Sequence, residues 1–261
     1  MRIGFAQKDI TPEAETFGSF RLSGVKRHSG VHDPLFAHAL VIDADQRRCL
    51  LLSIDVAAIP TRRATELRQR LAKTVGIEPA AVLLAATHTH NGPETLNEES
   101  DSRQELERIR GTEWRAVVAD EERQDEAFGL YQKYRTTLWK QLLGERYGNK
   151  PVESVPVQCI YLGPLTLVAV PGELFVEHQL RLQEQFPDHR VAIVGYANGY
   201  AGYIPTREAL AQETYETQAT LMHRVDGEAG ERLMTAAAGM IRSLHREHPS
   251  RNNGNRAMSP R

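Results

Sequence analysis

Ala81-Val82-Leu83-Leu84-Ala85-Ala86-Thr87-His88-Thr89-His90-Asn91-Gly92-Pro93 runs from a continuous apolar segment into two histidines and a Gly-Pro stop. The apolar part has the length and side chains of a buried strand. Open α/β sheets place ligand sites where such strands leave the core. Alternation along a strand points His88 and His90 the same way, and neutral imidazole is the commonest metal ligand. The pair reads either as metal- or substrate-binding, or as two polar loop histidines.

The flanking sequence extends the pattern. Upstream, Ala64, Leu67, Leu71 and Val75 repeat at helical spacing after Pro60, and Gly76 ends that helix. Before it, Leu35 to Ile42 and Cys49 to Ile54 flank a polar turn at 43–48 and read as a β-hairpin. Downstream, residues 94–125 are dense in Glu, Arg, Ser and Asn and read as an exposed insertion or a mobile segment. Residues 126–146 recover amphipathic form before Gly148-Asn149-Lys150-Pro151 breaks them.

Two further strands follow, Val155 to Leu162 and Leu165 to Val170, turned by Gly163-Pro164. Pro171-Gly172-Glu173 closes the second and opens a helix through Leu174, Val176, Leu180 and Leu182. Arg190 to Val194 is a strand ending in Gly195-Tyr196-Ala197-Asn198-Gly199-Tyr200-Ala201-Gly202-Tyr203, and a last helix covers roughly 217–246. Residues 250–261 are a polar tail. No internal repeat is evident. The alternation predicts an α/β fold with a mixed β-sheet core flanked by helices, in a single domain over 1–249.

Composition narrows the function. The 261 residues are 41% hydrophobic and 25% charged, as in an ordinary globular protein. A formal net charge of -2 without a basic block argues against nucleic acid as partner. No window reaches the roughly 18 apolar residues of a membrane span. Met1-Arg2-Ile3-Gly4-Phe5-Ala6 runs into a strand without an apolar leader, so a cytoplasmic location is the expectation. Cys49 and Cys159 sit in strand-like runs and read as buried thiols.

Three strand ends carry reactive groups: His88 with His90, Glu173, and the Gly-rich cluster ending at Tyr203. Imidazole, carboxylate and phenol form an N/O donor set that suits zinc with a position left for water. Taken singly, Glu173 reads as a helix-start acid favoured by the macrodipole, and Tyr203 as a packed aromatic. Asp55 reads either as a partner to a histidine or as a turn cap. His178 reads as a helix-surface residue or a ligand, His189, His223, His245 and His248 as surface residues, and Arg207 as a surface ion pair or a carboxylate-binding group.

These motifs resemble the catalytic domain of the neutral (non-lysosomal) ceramidases. The matching segments are Asp9-Ile10-Thr11-Pro12, Gly30-Val31-His32-Asp33-Pro34-Leu35, Ser53-Ile54-Asp55, Ala86 to Pro93, Ala169 to Phe175, and Gly195 to Thr206. The resemblance covers about residues 1–93 and 152–245. It implies a zinc amidase that cleaves ceramide into a fatty acid and a sphingoid base. Carried over motif by motif, it implies His88, Glu173 and Tyr203 as zinc ligands. It further implies His90 at the substrate carbonyl and Tyr215 facing the scissile amide.

The chain departs from that family in one place. The family's long segment between the His-x-His and Pro-Gly-Glu strands holds a second zinc histidine and a substrate-side serine. Residues 94–151 here contain no histidine, and the middle segment is expected to be missing. His32, His28 and His38 are the candidates to fill the gap, and His32, in its Gly-Val-His-Asp-Pro turn, is the one assigned. A strand edge left open by the shorter chain invites pairing with a second copy, so a homodimer is among the expectations. The sequence thus predicts a Zn2+-dependent hydrolase of a linear amide with a lipid-like substrate. The alternative is a non-catalytic ceramidase-like protein without a full zinc site.

Overall fold

A computed structural model gives the fold. It describes residues 1–13, 30–44, 47–93, 95, 154–212, 214–217 and 225–248. The predicted insertion at 94–125 (apart from Thr95), the amphipathic segment at 126–146, the tail at 250–261, His28 and His223 lie outside the described residues.

The apolar run ahead of His88 forms strand β4 (Val82–Ala86), buried at every position. Both of its faces are covered, which explains why its sequence is continuously apolar rather than alternating. It pairs in parallel with β3 (Arg47–Ile54), placing Ile54 opposite Ala86. Strand β3 forms the predicted hairpin with β2 (Phe36–Ala44), and β1 (Arg2–Asp9) completes a mixed sheet in the order β1-β2-β3-β4. Helix α1 (Thr61–Val75) makes the parallel crossover, ended by Gly76 in the left-handed region at φ 70°.

A second mixed sheet repeats this path. Strands β5 (Gln158–Leu162) and β6 (Leu165–Ala169) form an antiparallel hairpin, helix α2 (Val176–Glu184) crosses over, and β8 (Arg190–Val194) returns parallel to β6. The chain therefore holds two ββαβ units, a repetition of path with no counterpart in side-chain identity. A short parallel pair, β7 (Glu173–Leu174) with β9 (Tyr203–Ile204), links the two loops that follow β6 and β8. Helices α3 (Arg207–Leu210) and α4 (Ala229–Glu247) follow β9.

Four layers result. Ala64 and Ala72 of α1 pack on Leu50, Val82 and Leu84, the outer face of the first sheet. Leu83 and Ala85, on its inner face, meet Ile160 and Ala169 of the second sheet. The other face of that sheet, through Val168 and Val191, packs on Leu182 of α2 and on Met234, Ala237 and Ile241 of α4. One mixed sheet was expected. Two are stacked between helices, because β4 and β6 each have apolar side chains on both faces. Leu84, Leu182, Ile204 and Ile241 are 0% exposed, and burying each such side chain contributes about 1.5–3 kcal/mol.

The sheets are also joined by buried amides. Ala86 N donates to Tyr196 O at 3.2 Å and Asn198 N to Leu84 O at 2.7 Å. Asn198 Oδ1 accepts from Leu84 N at 3.0 Å, while its Nδ2 donates to Gln158 Oε1 at 2.7 Å. Gln158 Nε2 in turn donates to the carbonyls of Ala80, at 2.5 Å, and Val82, at 3.2 Å. Side chains thus satisfy backbone groups along β4 that a further strand would otherwise pair. Gly199 lets the same loop press on α1: a Cβ there would lie 2.8 Å from Thr61 Oγ1.

Candidate functional site

The loops leaving β4 and β8 meet where the two sheets join. His88 and Tyr196 each follow their strand by two residues, and both have left-handed backbones, at φ 61° and 51°. Their rings stack at 4.1 Å with planes 23° apart. His88 Nδ1 lies 2.7 Å from Ala57 O. A carbonyl oxygen only accepts, so the proton sits on Nδ1 and Nε2 carries a lone pair. That Nε2 faces His90 Nε2 at 2.9 Å and Glu173 Oε2 at 3.9 Å.

Glu173 reaches this point from the second sheet. It lies in β7, directly opposite Tyr203 in β9, so a two-residue ladder sets carboxylate and phenol side by side. Glu173 is not the helix-start acid that its sequence context suggested; Glu177 takes that place in α2. Its side chain is 10% exposed, and Oε1 accepts a 2.7 Å hydrogen bond from Tyr200. Burial, then hydrogen bonding to Glu173, pushes the Tyr196 phenol far above its ordinary value. Burial, then the bond to Tyr215, does the same to Tyr203. The Tyr203 hydroxyl donates to the Tyr215 oxygen at 3.1 Å. Beside these groups opens a cleft of about 450 Å³ lined by Glu173, Leu174, Phe175, Ile193, Tyr196 and Tyr203.

The structure therefore gathers His88, His90, Glu173, Tyr203 and Tyr215 by direct contacts. His32 stands apart: its ring is 97% exposed and its Nδ1 meets neighbouring Asp33 at 2.8 Å. Among the described residues, no hydrogen bond, ion pair or ring contact joins it to His88, Glu173 or Tyr203. Asp55 takes the capping role, accepting from Phe36 N at 2.8 Å. Arg207 forms a surface ion pair with Glu228. His178 is neither a ligand nor a surface group. It is 1% exposed, lies 3.2 Å from Pro205 O, and fills the space that a Cβ on Gly230 would take. Sequence reading missed Tyr200 and the Ala57 carbonyl. The Tyr196, Tyr200, Tyr203 spacing was the available signal for the first; nothing in a sequence marks a carbonyl as an imidazole acceptor.

The donors suit a zinc ion in kind: one imidazole with a lone pair, one carboxylate and one phenol. Among the described residues, no group of three or more His, Cys, Asp or Glu side chains is arranged to hold a metal ion. The Tyr203 phenol stands beside Glu173 as a further oxygen donor. Among the described residues, no helix is long and apolar enough to cross a membrane.

No protein-family model matches the chain. Among curated proteins, the chain is 36% identical over 78 residues to neutral ceramidase of Mycobacterium tuberculosis, 28% of this chain and 12% of that protein. It is 36% identical over 97 residues to neutral ceramidase of Pseudomonas aeruginosa, 35% of this chain and 14% of that protein. It is 37% identical over 75 residues to neutral ceramidase A of Dictyostelium discoideum, 26% of this chain and 10% of that protein. The matched stretches are thus a small part of these relatives' length. Among solved structures, the fold is similar to neutral ceramidase of Pseudomonas aeruginosa, with a TM-score of 0.63 and 17% identity, covering 99% of this chain and 76% of that one. A ceramidase complexed with C2 gives a TM-score of 0.62 at 14% identity, over 100% of this chain and 77% of that one.

Proposed function

We propose that this chain hydrolyses a linear amide with an apolar tail, as its similarity to neutral ceramidases suggests, at the centre formed by His88, His90, Glu173, Tyr203 and Tyr215. The observation that carries this reading is the approach of His88 Nε2 to Glu173 Oε2, 3.9 Å apart, from loops of different sheets. His88, Glu173 and Tyr203 would hold zinc, with a fourth position open to water. A zinc ion held there would supply a lowered pKa for bound water and polarisation of a carbonyl. The exposed His32 ring is left out of this set.

The chain's own residues supply the rest. Ala57 O fixes the His88 tautomer, so the Nε2 lone pair is available to a ligand. His90 Nε2 lies 2.9 Å from that atom and its N–H shares the lone pair; once a ligand takes the lone pair, that N–H would serve as a donor to the oxygen of a tetrahedral intermediate. Because Tyr203 donates to Tyr215, the Tyr215 proton stays available for the substrate carbonyl. Leu174, Phe175 and Ile193 give the cleft an apolar wall for an acyl or sphingoid chain.

The test is direct. Purified protein is assayed for zinc content and for cleavage of a short-chain N-acylsphingosine. The expectation is stoichiometric zinc and amide turnover that falls about 100-fold or more in His88→Ala and Glu173→Gln. Protein that takes up no zinc and leaves the amide intact would end this reading. A second reading, a non-catalytic ceramidase-like protein, draws on the lack of three convergent His, Cys, Asp or Glu side chains among the described residues. Unchanged metal content and unchanged turnover in His88→Ala support that second reading.

A further inference from the structure

Glu173 has two carboxylate oxygens with different surroundings. Oε2 points to the His88 lone pair at 3.9 Å. Oε1 accepts from Tyr200 at 2.7 Å. The Tyr200 ring is 4% exposed and lies parallel to Tyr196, 6.1 Å away with planes 9° apart. Its backbone is held from both sides: Tyr200 N meets Thr61 Oγ1 at 3.4 Å, and Ala201 N donates to Pro171 O at 2.7 Å. A phenol locked in this way has little rotamer freedom, so its hydroxyl is a fixed donor. A buried carboxylate on a flexible side chain takes its orientation from such a donor.

We infer that Tyr200 is the positioning residue of Glu173: it occupies Oε1 and thereby keeps Oε2 turned toward His88. This inference rests on the proposed role of Glu173 in the site. It assigns Tyr200 no contact with substrate or metal. The chain's Tyr196-x3-Tyr200-x2-Tyr203 spacing then divides the labour. Tyr203 stands beside the carboxylate and donates to Tyr215, Tyr196 stacks on the imidazole and hydrogen-bonds Glu173, and Tyr200 fixes Oε1.

The decisive variant is Tyr200→Phe, which removes the hydroxyl and keeps the ring. Its crystal structure is compared with that of the parent, and zinc binding to both metal-free proteins is titrated by calorimetry. Ile241→Val, in the core under α4, serves as a control that lowers stability away from the site. The expected result is that Glu173 rotates in Tyr200→Phe, opening the distance from Oε2 to His88 Nε2, and that zinc affinity falls about 10- to 100-fold. The Ile241→Val control leaves both unchanged. Glu173 held in its parent rotamer in Tyr200→Phe overturns the inference, whatever the zinc titration shows. If the parent itself takes up no zinc, the proposed function fails; rotation of Glu173 in the variant still upholds the positioning role.

Discussion

His88 and Tyr196 occupy the same place in two successive ββαβ units. Each stands two residues beyond its returning strand, after Ala86 and Val194, in a left-handed backbone at φ 61° and 51°, and their rings stack at 4.1 Å. A non-glycine residue in that region costs about 1–3 kcal/mol unless its surroundings hold it. Here the strain turns each side chain away from its own strand and toward the other unit. The site thus lies at the seam between two similar halves, where neither half alone supplies more than one side of it.

Tyr196→Ala removes one half of that stack. The expected effect is a loss of about 1–3 kcal/mol in urea unfolding, from the ring contacts with His88 and the half-buried apolar area. Tyr196→Phe keeps the stack and should stay within about 1 kcal/mol of the parent. The His88 ring resonances, followed by NMR, are expected to broaden in the alanine variant and to stay sharp in the phenylalanine one. Equal loss in both would assign the effect to the hydroxyl rather than the ring.

Gly172 sets the distance between carboxylate and phenol. A Cβ there would lie 2.5 Å from Gly202 O and 2.9 Å from Ile204 Cδ1. Gly202 O is the acceptor of Glu173 N in the β7–β9 ladder. Gly172→Ala is therefore expected to force β7 and β9 apart and to cost about 1–3 kcal/mol. Thermal unfolding checks the stability, and the separation of Glu173 and Tyr203 in a crystal structure checks the cause.

Much of this was legible in the sequence, for reasons that differ by element. Strand β4 could be read because its continuous apolar run reflects cover on both faces. The helix α1 boundaries followed from Pro60 and Gly76, which act locally. His88, Glu173 and Tyr203 could be placed at strand ends, and the motifs that contain them carried the family resemblance. The two-sheet stacking was not legible, because an apolar strand does not say what covers it. The ββαβ repetition was hidden too, since backbone path repeats here without repeating residues. Asn198 and Gln158 gave no signal, because a buried amide pair 40 residues apart has no local pattern.

The amide relay predicts a sharp stability cost. Gln158 is 7% exposed and Asn198 1%. Gln158→Met keeps volume and shape but leaves Asn198 Nδ2 and the Ala80 carbonyl without their side-chain partner, while the Val82 carbonyl keeps its hydrogen bond from Arg68 Nε at 2.9 Å. Buried polar groups left unpaired cost about 1–3 kcal/mol each when water cannot replace the partner. A loss of about 2–4 kcal/mol in urea unfolding is expected. A change below about 0.5 kcal/mol would mean that the sheets are held by apolar packing alone.

The two thiols should be inert in the folded chain. Burial pushes Cys159 up to about 11 and raises Cys49 as well. At about pH 8 the thiolate fraction of Cys159 is then on the order of 0.1%, and the thiolate is the reactive form. Ellman's reagent is expected to titrate Cys159 only after denaturant is added. Rapid reaction of both thiols in native buffer would show that β3 and β5 open readily.

A histidine cluster at the far end of the second sheet predicts how stability responds to acid. His245 in α4 lies 3.8 Å from His189, ring centre to ring centre, with planes tilted by 37°, stands 3.5 Å from Thr166 Oγ1, and meets Phe186 and Tyr161 edge-on at 5.9 and 5.6 Å. His248 lies over Tyr161 at 5.7 Å and touches Arg47 at 3.1 Å. Partial burial, then repulsion from His189, lowers the His245 value from 6.5. Above that pH the ring is neutral in folded and unfolded chains alike, so it leaves stability unchanged. Below it, the unfolded chain takes up the proton first. Stability is then lost as pH falls from about 6.5 through the lower folded value. His245→Gln removes the titrating group and is expected to shrink the drop in melting temperature between about pH 7.5 and about pH 5. An identical drop in parent and variant would place the acid sensitivity outside His245.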